Sequence, residues 1–188
     1  DENYYVEGAL TNGSTMRIFK NRDEVNKVCL MKGKMPEKSG EIGIDRMYAD
    51  NNDLSVGDEI ESGGHTWKIT GLVALSDYSA LFSNNNDSMF DSVKFGVSVV
   101  CPEEFDSYKA DQLNYSYAWK YNTEPKNEKA EKDISEDLME DVAKEVTLEE
   151  FVPRYTNQAI IFTGDDMGGD RSMMIVLLYI IIVIMAFV

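Results

Sequence analysis

Side chains able to do covalent or metal chemistry are few and scattered in this chain of 188 residues. Its single histidine, His65, follows Gly63 and Gly64 in what reads as a turn. A serine hydrolase needs an imidazole base and, in one common form, a Gly-x-Ser-x-Gly elbow that exposes the nucleophile. No such elbow occurs, so His65 is expected to be an exposed turn residue. Zinc needs clustered His, Cys or carboxylate ligands. One His and two distant cysteines, Cys29 and Cys101, do not supply that spacing. Cys29 reads as a buried thiol on a helix, and a Cys29–Cys101 bridge stays an alternative that spacing does not decide.

Carboxylates are the abundant chemistry: 34 Asp and Glu against 18 Lys and Arg give a net charge of −16. Aspartate-rich loops are the usual hosts of calcium. In Asp50-Asn51-Asn52-Asp53, however, Leu54 takes the fifth position of an EF-hand loop and Ser55 the place of its glycine. Asn84-Asn85-Asn86-Asp87 lacks both the glycine and the closing glutamate. Asp165, Asp166 and Asp170, interspersed with glycines, either wrap a cation or form a joint whose last Asp caps the next helix. No catalytic residue, metal site or cofactor is predicted. A field this acidic repels phosphate backbones, which excludes nucleic acid as a partner. A helix over 128–146 carries Glu136, Asp137, Glu140 and Asp141 on its polar face. That face reads as solvated, with docking of a cationic peptide or an extracellular protein as the functional alternative. Asn12, Asn86 and Asn114 begin glycosylation sequons.

The elements that must position these residues follow from hydrophobic period and turn chemistry. Residues 3–10 and 15–20 read as strands joined at Asn12-Gly13. Asn21 with Glu24 suggests a capped helix carrying Val25, Val28, Cys29 and Met31 or Lys32, stopped by Gly33. Strands are expected at 41–44, from Ile60, along HTWKITGLV and over 93–100, with a short helix at RMYADNNDLS. LNYSYAWKYN (113–122) reads as another strand. In the acidic helix, Ile134, Leu138, Val142 and Val146 should form a packed stripe with Met139 beside it. The expected class is α+β, with a small mixed or barrel-like β core and peripheral helices.

The C-terminal run Met173–Val188 is unbroken apolar sequence, about 25 Å long as a helix against a ~30 Å hydrocarbon core. It predicts the start of a transmembrane helix over 172–188. The start at Asp1 and the stop inside this run predict a piece of a longer membrane protein. The flank TGDDMGGDR is acidic, whereas cytoplasmic flanks are rich in Lys and Arg, so residues 1–171 are expected outside the cell. Within them the reading places a core at about 1–101, a variable appendage at about 102–160 and a joint at 161–171.

One stretch is more specific. Gly33-Lys34-Met35-Pro36, Gly40-Glu41-Ile42-Gly43-Ile44-Asp45, Leu54-Ser55-Val56-Gly57-Asp58-Glu59-Ile60 and Trp67 to Val73 with its Thr70-Gly71 step follow one another in order. Together they resemble the outer domain of FtsX-like or MacB-like permeases, the membrane subunits of ABC transporters. The continuation Asp77-Tyr78-Ser79-Ala80-Leu81-Phe82 resembles such permeases from Gram-positive anaerobes. The resemblance implies an extracellular module beside membrane helices and a separate cytoplasmic ATP-binding subunit as partner. It also implies coupling of ATP hydrolysis to transport, sensing or partner control outside the cell membrane. No G-x-x-x-x-G-K-[ST] loop is present in this chain. The motif residues Gly33, Pro36, Glu41, Ile42, Ile44, Leu54, Val56, Gly57, Asp58, Ile60 and Gly71 are expected to be scaffold. Residues 102–160 depart from the pattern, and specificity is expected there. A single-span, surface-anchored binding or adhesion module is the alternative reading, and a membrane-tethered hydrolase the third.

Overall fold

The computed structural model describes residues 1–22, 24–62 and 64–164, and the chain divides into two compact units at Pro125/Lys126. In the first unit, β1 (Tyr5–Ala9) and β2 (Thr15–Lys20) form the expected hairpin, in register from Tyr5↔Phe19 to Ala9↔Thr15. Asn12 shapes the turn by accepting from the Ser14 amide at 3.0 Å. Next come β3 (Val28–Gly33), β4 (Glu41–Asp45), β5 (Glu59–Ser62), β6 (His65–Leu75) and β7 (Phe95–Val100). Among the described residues they make one seven-stranded sheet in the order β1-β2-β7-β4-β6-β3, with β5 pairing the first half of β6.

The class is α+β, and the sheet is mixed and open rather than barrel-like: β1 and β3 end the order without pairing each other. β2–β7 and β4–β6 are parallel and the other neighbours antiparallel. Tight turns join only antiparallel neighbours, whereas a parallel pair needs a crossover that turn signals do not reveal. All six residues of β7, including Ser98, are buried, consistent with its largely apolar sequence and central place. α1 (Arg46–Asn51) is capped by Asp45, whose Oδ1 accepts from the amides of Met47 (2.8 Å) and Tyr48 (3.1 Å). Tyr48, Trp67, Phe19, Met16, Ile42, Ile44 and Ile69 fill the core.

Three expectations fail locally. The helix expected over 21–33 is instead a turn followed by β3. Asn26 takes a left-handed φ of 51°, which interrupts a helix, and Val28–Gly33 pairs with β6. Its 3.6-residue apolar period was outweighed by sheet pairing. Cys29 is therefore exposed rather than buried; Cys29 and the buried Cys101 are both free. Residues 113–122 do not form a strand. They make isolated antiparallel bridges, Tyr5↔Asn114 at the start of β1 and Glu2↔Tyr117 just before it. The Tyr4 and Tyr117 hydroxyls meet at 2.6 Å there.

The second unit contains α3 (Glu128–Glu145), capped by Asn127, which accepts from the Ala130 amide at 2.9 Å. The helix falls where the sequence places it, but its covered face is rotated. Glu131 and Ser135 are buried, Leu138 and Val142 partly so, while Ile134 and Val146 of the expected stripe are 45% and 54% exposed. An ion pair explains the rotation: Arg154 grips both Glu131 carboxylate oxygens at 3.0 and 3.2 Å, which makes burial of that glutamate tolerable. Among the described residues no helix is long and apolar enough to cross a membrane, and Met173–Val188 lies outside them.

Candidate functional site

The residues with chemical potential are dispersed. His65 is an exposed residue at the start of β6, its ring 5.8 Å from that of Trp67. Among the described residues no three His, Cys, Asp or Glu side chains cluster as metal ligands, and Asp165, Asp166 and Asp170 lie outside them. Loop aspartates close their own turns instead. Asp87 accepts from the Ser83 hydroxyl (2.6 Å) and the Asn84 amide (2.9 Å), which hold its carboxyl below the usual range. Asp58 accepts from the Ser55 amide at 2.8 Å, and Asp50 pairs with Arg46 at 2.9 Å.

The residues quoted for the permease resemblance converge around β6. Gly33 and Gly71 stand opposite each other in the β3–β6 register. Gly33 has φ +79°, and a Cβ there would strike the Thr70 carbonyl. A Cβ on Gly71 would lie 2.5 Å from the Lys34 carbonyl oxygen. The Lys34 amide donates to the Thr70 carbonyl at 2.9 Å, and Pro36 is buried beside Gly43. Leu54 packs on the core, and Val56, although 37% exposed, leans toward Gly33. Gly57 donates to the Ile69 carbonyl at 2.8 Å, and the Ile69 amide to the Asp58 carbonyl at 2.9 Å. Ile42, Ile44 and Ile60 are buried. None of these contacts is of a catalytic kind; they hold backbones close.

Two carboxyls flanking this seam titrate in opposite directions. Glu41 is pulled below its ordinary value, first by the Glu37 amide at 2.9 Å and then by Lys34 and the Lys38 amide. The unfolded state then binds the proton more readily, so Glu41 adds stability above the ordinary Glu range and loses it as pH falls through the lowered value. Asp45 is pushed up, chiefly by burial, against the pull of its two capped amides. Here the folded state holds the proton better. Stability is greatest below the ordinary Asp value of about 3.9 and declines as pH rises through the raised one. Asp45→Asn retains the capping oxygen and removes the buried charge. Its urea midpoint should exceed that of the wild type at pH 7 by up to about 0.5 M and match it at pH 3. A lower midpoint at pH 7 would refute this account of Asp45.

The sequence did not reveal a cleft of about 330 Å³ on the β1–β2 hairpin, which Glu7, Thr15, Arg17, Asn84, Asp91 and Lys94 help to line. Glu7 and Arg17 are opposite in the hairpin register, and Arg17 Nε and Nη2 donate to Glu7 Oε1 at 2.9 and 2.7 Å. Arg17 also donates to the Tyr78 hydroxyl (2.7 Å) and the Ser83 carbonyl (3.0 Å), with its guanidinium 4.3 Å from the Tyr5 ring centre. Burial pushes the Tyr78 hydroxyl up to about 12. Neighbouring Asp77 takes the second arginine: Arg22 Nη1 and Nη2 donate to its two carboxylate oxygens at 2.7 and 3.0 Å. The Asn12-Gly13 turn fixes the Glu7–Arg17 register. The contribution of residues 77–83, some sixty positions later, has no local signal. The charges of Glu7, Asp91, Arg17 and Lys94 offset one another in the cleft, and Ser83, which also lines it, donates its hydroxyl to Asp87 at 2.6 Å.

On α3, Glu136, Asp137, Glu140 and Asp141 are all exposed, with Lys132 3.6 Å from Glu136 and Lys144 2.8 Å from Asp141. One sequence-invisible carboxylate does structural work. Buried Glu104, on α2 (Pro102–Phe105), accepts from the Ser39 hydroxyl and from the Gly40 amide, fixing the loop before β4. No protein family, curated protein or solved structure matches this chain.

Proposed function

We propose that the chain is the outer-face, non-catalytic domain of an ABC transporter permease, working with a separate cytoplasmic ATP-binding subunit. In this reading it passes ATP-driven motion to transport, sensing or partner control outside the cell membrane. The observation that carries the proposal is the convergence just described: the permease-like residues from Gly33 to Gly71 are mutual neighbours that set backbone spacing. Residues that define a rigid mechanical module should be of this kind. The apolar run Met173–Val188 supplies the attachment to the membrane, and the acidic flank before it favours the outside.

The chain carries its own topology probe, because Cys29 is exposed and Cys101 buried. A membrane-impermeant maleimide applied to intact cells expressing the parent protein should label Cys29 without permeabilisation, and Cys29→Ser should abolish the signal. Labelling that appears only after permeabilisation would place the domain in the cytosol and end this reading. Co-purification of the parent protein with a Walker-type ATPase is the expected companion result.

A further inference from the structure

The least protected part of the sheet is β3. It pairs with β6 on one side, and among the described residues no backbone group hydrogen-bonds to its other edge. At the opposite end of the sheet, Asn114 bridges Tyr5, the first residue of β1. β3 is also bare on both faces, with every residue from Cys29 to Gly33 exposed, including Leu30 (41%) and Met31 (52%). Apolar side chains on an unpaired edge form a template for an added strand.

Charge narrows what such a strand can be. Residues 27–34 hold Lys27, Lys32 and Lys34 and no carboxylate, a local +3 in a chain of net −16. Lys34 is engaged by Glu41 at 3.4 Å and Glu37 at 3.9 Å. Lys27 and Lys32 are exposed and have no ion-pair partner among the described residues. Edge lysines and the irregularity between Leu30 and Lys32 are common guards against edge-to-edge pairing. The guard is selective by sign. A second copy would bring the same lysines within about 8 Å of each other, where repulsion is poorly screened. An acidic strand would instead meet unpaired ammonium groups in an otherwise acidic surface.

We propose that the outer edge of β3 is a docking site for an extended acidic peptide segment of another protein. The segment adds a strand by main-chain hydrogen bonds and sets its carboxylates against Lys27 and Lys32. Because side chains alternate faces along a strand, the apolar residues of such a segment would all lie on one face, over Leu30, and its carboxylates on the other with Lys32, which the register shift after Leu30 places on the opposite face. The inference goes beyond the transporter reading and does not depend on it.

The test uses the full chain in detergent micelles and a short fluorescein-labelled peptide alternating Glu with Val. Anisotropy should saturate with a Kd of roughly 100 µM at low salt and weaken as salt is added. The Lys27→Glu/Lys32→Glu variant should bind about tenfold more weakly, with its far-UV circular dichroism unchanged. The same peptide with alternate amides N-methylated, and a Lys-for-Glu peptide, should not bind. Three results would each overturn the proposal: no saturation up to roughly 5 mM, equal binding of the lysine peptide, or undiminished binding after N-methylation. The peptide comparisons need only wild-type protein, so they decide the matter even if the variant misfolds.

Discussion

Asp77→Asn should destabilise the first unit by about 3–5 kcal/mol, the usual cost of stranding a buried charge. Arg22 is only 6% exposed and Asp77 15%, and their two charge-assisted hydrogen bonds are supplemented by one from Arg22 to Asn3 at 2.9 Å. The guanidinium also stacks 4.8 Å from the Phe19 ring centre. With an amide in place of the carboxylate, the positive charge remains in a poorly solvated site, and its Nε already has no hydrogen-bond partner. Urea titration followed by tryptophan fluorescence would read the loss. Replacing both partners, Arg22→Met with Asp77→Leu, removes the buried charge altogether and should recover most of the stability. A double variant as unstable as the single one would show that the pair is not the origin of the effect. Because the site is dry, added salt should change the single variant's deficit very little.

The second large effect is expected at the paired glycines. Gly71→Val should cost about 3 kcal/mol and lower Tm by about 9 °C, because its Cβ meets backbone, the Lys34 carbonyl at 2.5 Å. Neither strand can shift without breaking β3–β6 pairing, which already carries an irregularity between Leu30 and Lys32. Gly57→Ala is the informative control. Gly57 has φ +106° but nothing within 4 Å of the added atom, so only conformational strain of about 1 kcal/mol is expected. Comparable losses at the two positions would refute the steric account of Gly71.

These predictions show where the sequence was informative and where it was not. Turn chemistry located the hairpin through Asn12-Gly13 and the approach to β5 through Gly57-Asp58, since both depend on a few adjacent residues. Periodicity located β6, β7 and α3 but could not give strand order, because parallel pairs such as β2–β7 join residues about eighty positions apart. It misread 21–33 because Val25, Val28 and Cys29 suit a helical stripe, while pairing with β6 and the left-handed Asn26 decide otherwise. The arginine-centred cleft escaped notice for a related reason. Nothing local marks Arg17 and Arg22, because Tyr78 and Asp77, which receive them, lie more than fifty positions later in the chain. Gly33 and Gly71 face each other across β3 and β6, a pairing with no local signal in the sequence.

The strap along β1 has a mechanical corollary. The Asp1 amino group donates to the Ala118 carbonyl, Asn3 to Ser116 and Tyr5 to Asn114, so the two segments of this strap run in opposite directions. Tension drawing Asp1 and residue 118 apart therefore loads the rungs one after another, like a zipper, rather than all at once. The strap would peel open at low force while the parallel β2–β7 and β4–β6 pairs stayed shut.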